Sequence, residues 1–274
     1  MVRKHLTTGT AAAIVCLFCS TAFAQIGGSV DWVARVVKAK GVGAVNPNMP
    51  VSTARPGAIR AAKQIALRDA LELVKGISLN SSTTIANSMT TNDAVNSNVN
   101  GFVKGFTFEP APHYMSDGTV EIEVTIPIDG VSGLGSALFG GAGLISETPS
   151  ATITHSGAPA KGFSGLIIDA KGLGIKPTLM PRITDEKDME IYGSAYVSRE
   201  FAVKFGMCGY VKNLADAQKN TDRIGATPFV VKGIKATGAN KTDIVLSTAD
   251  AATVQSTAQN AKFLSECRVI VLID

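Results

Sequence analysis

The chain has 274 residues, 45% hydrophobic and 18% charged, with a formal net charge of +4. That balance fills a core of one large or two ordinary domains and excludes global disorder. Lys and Arg are dispersed with no basic stripe interleaved with aromatics, so no nucleic-acid partner is expected.

The N-terminus reads as a targeting segment. Arg3 and Lys4 give a basic start, Ala11–Cys19 (AAAIVCLFC) is apolar but too short to span a bilayer, and Ala22-Phe23-Ala24 forms an A-x-A cleavage site. Residues 1–24 are therefore expected to be a signal peptide, with cleavage before Gln25. A lipid-modified cysteine normally follows a small residue, whereas Cys16 follows Val15 and Cys19 follows Phe18. Export to the periplasm or outer-membrane periphery without a lipid anchor is expected, and no later stretch reads as a transmembrane helix. Cleavage removes two cations and no acid, lowering the formal charge to +2.

The first segment, Ser29–Ala44, has strand character around Val33–Ala39 and ends in glycines. After a proline-rich connection, residues 56–75 carry a helical period. Ile59, Ala62, Ala66, Ala70, Leu73 and Ile77 share one face, with Arg60, Gln64, Arg68 and Glu72 opposite. Pro56 suits the first turn and Gly76 a left-handed cap. The alanine-rich face predicts close approach to a sheet. The Asn/Ser/Thr-rich stretch to Asn98 reads as a long exposed loop or frayed hairpin. Residues 101–129 read as a strand pair turning at Asp117-Gly118, with Val120, Ile122, Val124, Ile126 and Ile128 facing a core.

Composition shifts to Gly, Ala, Ser, Thr and Pro over residues 131–162, which read as a linker. Its apolar run LGSALFGGAGLI is either a packed connector or a contact surface for a neighbouring subunit or membrane. Residues 163–274 are again mixed. Strands are predicted at 165–169, 228–235, 243–247 and 268–273, a hairpin turning at Asp185–Asp188, and helices at 211–219 and 250–264. The last strand is an unbroken apolar run and reads as central. The fold class is α+β: a helix-on-antiparallel-sheet domain over residues 25–130, then a mixed α/β domain over residues 163–274.

No catalytic, cofactor-binding or metal-binding set emerges. His113 and His155 stand alone on predicted loops, without ligands at zinc spacing. There is no G-x-S-x-G, S-x-x-K or H-E-x-x-H. Gly133-Leu134-Gly135 and Gly172-Leu173-Gly174 each lack the third glycine of a dinucleotide loop, and neither is expected to open a helix. Asp169 closes a strand, where its carboxylate is expected to hold the following turn amides. Its other reading is an acid catalyst with Asp185 or Glu190. The Asp185–Glu190 charge cluster reads as a solvated hairpin tip. The cysteines remaining after cleavage, Cys208 and Cys267, form an even pair in an oxidising compartment. A disulfide would close a loop of about 60 residues and stabilise by on the order of 4 kcal/mol; the other reading is two buried thiols that never meet.

The block GAIRAAKQIALRDALELVKGISLNSST, followed by GFVKGF and GTVEIEVTIPI, resembles the bacterial lipoprotein-20 family, which includes flagellar protein P, and also the N-terminal part of flagellar assembly protein T. The resemblance covers roughly residues 30–130. It implies an envelope-associated α+β domain without catalytic residues, often lipid-anchored, and ring or disk formation in the flagellar relatives. A non-enzymatic structural or assembly protein is therefore expected, a homo-oligomer contacting envelope proteins and needing no cofactor. The alternatives are a periplasmic binding module, or a carboxylate-based enzyme, with a groove between the halves.

Overall fold

The computed structural model describes residues 27–107, 111–151, 162–256 and 258–274. The signal segment and His155 lie outside these residues. The fold is mixed α+β, with one helix-covered antiparallel sheet followed by two further sheets.

The first sheet begins with a hairpin of β1 (Gly28–Asp31) and β2 (Val36–Ala44). At its turn the Asp31 carboxylate accepts from the amides of Val33 (3.0 Å) and Ala34 (2.8 Å), and Arg35 sits at φ 58°. This hairpin occupies the region expected to be one strand. Along β2, Val37, Ala39, Gly41 and Gly43 point inward. Over them lies α1 (Val51–Gly76), which buries Ala54, Ala58, Ala62, Ala66, Ala70 and Val74, one residue per four. A methyl carbon on Gly41 would lie 2.1 Å from the carbonyl oxygen of Ala62, and one on Gly43 would lie 2.1 Å from that of Ala58. Glycine facing alanine thus sets the depth at which helix and sheet meet. The helix starts before Pro56, which lies inside it, and Ile77 caps it in an extended conformation. Gly76 is not left-handed as the pattern suggested.

The Asn/Ser/Thr stretch is helical rather than loop. It forms α2 (Ile85–Thr91) and α3 (Asp93–Gly105), the latter taking in Gly101–Gly105, expected to be strand. Thr84 caps the first by accepting from the Asn87 amide, and Asn92 caps the second by accepting from the amides of Ala94 and Val95. Val95, Val99 and Val103 then make a buried stripe at helical spacing. Two caps and one packed stripe outweigh the poor helix propensity of the intervening polar residues. The strand pair is reduced to β3 (His113–Tyr114) against β4 (Thr119–Pro127), and β4 pairs with β2 over nine residues. Val120, Ile122, Val124 and Ile126 are fully buried, as their alternation predicts. A short helix, α4 (Leu134–Phe139), follows, capped by Gly133, which therefore does open a helix. Leu134, Leu138, Phe139 and Ile145 are buried, so the apolar run is a packed connector.

The second half opens with β5 (Leu166–Asp169), then the hairpin β6 (Ile183–Thr184) and β7 (Glu190–Tyr192). Next come α5 (Arg199–Phe205), β8 (Gly209–Val211), α6 (Leu214–Lys219) and α7 (Thr221–Ile224). They are followed by β9 (Phe229–Lys232), β10 (Lys235–Thr237) and β11 (Asp243–Val245). The chain closes with α8 (Thr248–Val254), α9 (Ala258–Ser265) and β12 (Val269–Leu272). One sheet is parallel throughout, in the order β8-β12-β5-β9; the other is mixed, in the order β10-β11-β6-β7. The predicted strand at 228–235 is divided between the two sheets at Gly233-Ile234. The helix expected at 250–264 is two helices. The one expected at 211–219 yields its first residue to β8, and Asn213 caps the remainder by accepting from the Asp216 amide.

β12 is interior as its composition predicts, and both of its faces are dry. Ile270 and Leu272 join Ile167, Ala217 and Ile224 on one side. Val269 and Val271 join the main core on the other, together with Leu166, Ile168, Val37, Val74 and Val124. That core is continuous across both halves of the chain. Backbone contacts cross with it: Met180 N–H donates to Leu79 C=O (2.8 Å) and Gly130 N–H to Val203 C=O (2.9 Å).

Candidate binding site

A cavity of about 240 Å³ opens where the β1–β2 turn meets the parallel sheet of the second half. Arg35 and Asp129 enter from the first half, and Lys204, Tyr210 and Arg223 from the second.

Arg35 is presented by the strained turn after Asp31. Its Nε and Nη2 donate to the two oxygens of Asp129, each at 2.6 Å, a planar fork with both partners mostly buried. Its Nη1 is buried and has no hydrogen-bond partner among the described residues. The guanidinium lies 5.5 Å from the ring centre of Trp32, which meets Tyr210 edge-on at 5.6 Å. Burial pulls the Arg35 pKa down, but the hydrogen-bonded Asp129 carboxylate outweighs it and leaves the guanidinium above its ordinary value. Gly206 closes the back of this pair at φ 70°; a methyl carbon there would lie 2.5 Å from Arg35 Nη2 and from Asp129 Oδ1. Both conformation and space require glycine.

Arg223 is 9% exposed. Its Nη1 donates to the carbonyls of Cys267 (3.1 Å) and Val269 (3.2 Å), and its Nη2 to those of Gly206 (3.3 Å) and Phe205. These acceptors are neutral. Among the described residues no carboxylate forms an ion pair with it, and burial, then repulsion from Arg35, lowers its pKa. The buried end thus holds two guanidinium groups and one carboxylate, which pairs with Arg35 alone, while Lys204 and Asp222 are exposed at the rim.

Cys267, whose carbonyl accepts from Arg223, and Cys208 are both buried and both free thiols. The structure therefore holds no bond between the two cysteines expected as a possible disulfide pair. Burial raises both thiols, Cys267 to about 12, so neither is a thiolate near neutral pH. Tyr192 and Tyr210 are held well above their usual range by burial. The Tyr192 hydroxyl donates to Met207 C=O, and that of Tyr210 donates to Thr178 C=O at 3.0 Å.

The candidate carboxylates are engaged elsewhere. Asp169 ends β5 and accepts from the Lys171 amide at 3.2 Å, the turn role expected of it, with Gly172 and Gly174 both at positive φ. Asp185 accepts from the amides of Lys187 and Met189 within the β6–β7 turn, and Glu190 pairs with Arg182 at 3.0 Å. His113 is exposed on β3. No group of three or more His, Cys, Asp or Glu side chains among the described residues could hold a metal, and no described helix is long and apolar enough to cross a membrane. Sequence reasoning missed Arg35, Asp129 and Arg223. The available signals were faint: an Asp-led turn and the single tryptophan three residues before an arginine.

Residues 165–274 match a family model described as the second domain of Treponema pallidum Tp0624. The matched stretch opens one residue before β5 and takes in both later sheets. No curated protein matches the chain.

Proposed function

We propose that the chain is a non-enzymatic exported protein of the bacterial cell envelope that works through contact, as a structural or assembly component. The observation that carries this reading is the chemistry of the candidate site. Its buried ionic groups, Arg35, Asp129 and Arg223, are held in a hydrogen-bond frame, and the Tyr210 phenol and the nearby Cys208 and Cys267 thiols are held protonated, which suits holding a partner rather than transforming one. Local engagement of Asp169, Asp185 and Glu190 supports the same reading. The signal-like N-terminus supports export, and the resemblance of residues 30–130 to the lipoprotein-20 family supports a role in flagellar or other surface-structure assembly through self-association. Val131, 82% exposed beside Val203, offers an apolar contact point. Size-exclusion chromatography with light scattering on residues 25–274 tests assembly. An oligomer that grows with concentration is expected; a strict monomer that captures no envelope protein on crosslinking overturns the proposal.

A second reading, a binding module with its ligand between the halves, is favoured by one observation. The cavity draws its charged groups from both halves of the chain.

A further inference from the structure

The geometry points to a small-oxyanion site in the cavity between the β1–β2 turn and the parallel sheet, taking a carboxylate or phosphate group against Arg35 and Arg223. This deepens the binding reading above. Three features converge on it. Arg35 Nη1 is a buried cationic donor with no acceptor among the described residues, while the other two guanidinium nitrogens are committed to Asp129. Leaving such a donor unmet costs more than a typical hydrogen bond contributes. Arg223, on the same cavity, is almost fully buried with only backbone carbonyls as acceptors, so its charge is not neutralised. The titratable and charged lining consists of three cations, Arg35, Lys204 and Arg223, against the carboxylates of Asp129 and Asp222 and the hydroxyl of Tyr210.

Asp129 is taken up by Arg35, and Asp222 lies at the exposed rim, where screening is strong. The buried end therefore keeps an excess positive charge, and an entering anion would supply the missing counter-charge, with Nη1 becoming a donor to it once the Arg35 side chain shifts to expose that nitrogen. The volume, about 240 Å³, falls below the roughly 300–1,000 Å³ of drug-sized ligand pockets, which selects a small ion or a single acidic headgroup.

The chain carries its own reporter, since Trp32 is the single tryptophan and its ring faces Arg35. Residues 25–274 are titrated separately with inorganic phosphate and with succinate, up to about 50 mM at constant ionic strength set with chloride, while Trp32 emission is followed. A saturable change with either anion is expected, and the one that saturates lower identifies the preferred chemistry. Arg35→Lys keeps a cation for Asp129 but loses the second nitrogen, and should weaken binding about tenfold. Lys204→Ala removes an exposed rim side chain that the core does not use, and should weaken it about threefold. No saturable response to either anion overturns the proposal, as does a response that both variants leave unchanged. Light scattering on the same samples separates this from assembly: a monomer that binds keeps the site and loses the assembly reading.

Discussion

Replacing Gly41 by alanine should destabilise the protein far more than a single methyl group normally does. The added carbon would sit 2.1 Å from the Ala62 carbonyl oxygen and 2.4 Å from the Ala66 amide nitrogen. Carbon–oxygen contacts ordinarily begin at about 3.3 Å, so α1 would have to lift by roughly 1 Å. The obstructing atoms are backbone on both sides, so no side chain can rotate away. A gap of that size forfeits about a quarter to a half of each dispersion contact under the alanine stripe. Overpacking of this kind costs about 1–3 kcal/mol or more, and the loss of unfolded-chain freedom offsets about 0.4–1 kcal/mol of it. Backbone obstruction on both sides places the cost near the upper end of that range, so a net loss of about 2–2.5 kcal/mol follows, a large part of the 5–15 kcal/mol typical of whole domains. Urea unfolding followed by Trp32 emission and far-UV circular dichroism measures it, with an expected midpoint shift of about 1 M or more. Gly57→Ala and Gly101→Ala are the matched controls, because they lie within helices and a methyl carbon there meets nothing within 4 Å. Each should gain about 0.5–1 kcal/mol. A Gly41→Ala midpoint at or above the wild-type value, with the controls behaving as stated, refutes the close-approach account.

Two further outcomes concern the buried thiols and phenols. The Cys267 thiol is pushed by burial from an ordinary 9.0 to about 12, so above pH 9 the unfolded chain loses a proton that the folded chain keeps. Its stabilising contribution is complete below about pH 9 and is lost as pH rises toward 12, at up to about 1.4 kcal/mol per pH unit. Cys208, Tyr192 and Tyr210 shift in the same direction, so urea midpoints measured between about pH 8 and pH 11 should fall steadily; a flat profile contradicts their burial. Under native conditions neither Cys208 nor Cys267 should react with a thiol-specific reagent, and both should react once residues 25–274 are unfolded without reductant. Recovery of no thiol after unfolding would show that the pair is oxidised after all.

The legible parts of the fold are those that a periodic burial pattern writes directly into the chain. The alternation of β4, the alanine stripe of α1 and the apolar runs of β5 and β12 each report their surroundings through residue spacing alone. The two helices between Ile85 and Gly105 were not legible, because their Asn- and Ser-rich composition argues for a loop. Only the packed Val95, Val99 and Val103 and the caps at Thr84 and Asn92 decide otherwise. The division of residues 228–235 between two sheets was hidden for a similar reason: a continuous apolar run does not say which neighbour each part will meet.

By itself the sequence determined the α+β class, the close helix–sheet contact and the turn role of Asp169, since local spacing and short-range hydrogen bonds suffice for these. Only the tertiary structure decided that both halves share one core, that Cys208 and Cys267 lie buried as free thiols, and that Arg35 meets Arg223 across a cavity. Those two arginines are 188 residues apart in the chain. Nothing in the local pattern of either marks it as buried, because an arginine's burial depends on which carbonyls and carboxylates distant strands bring to it.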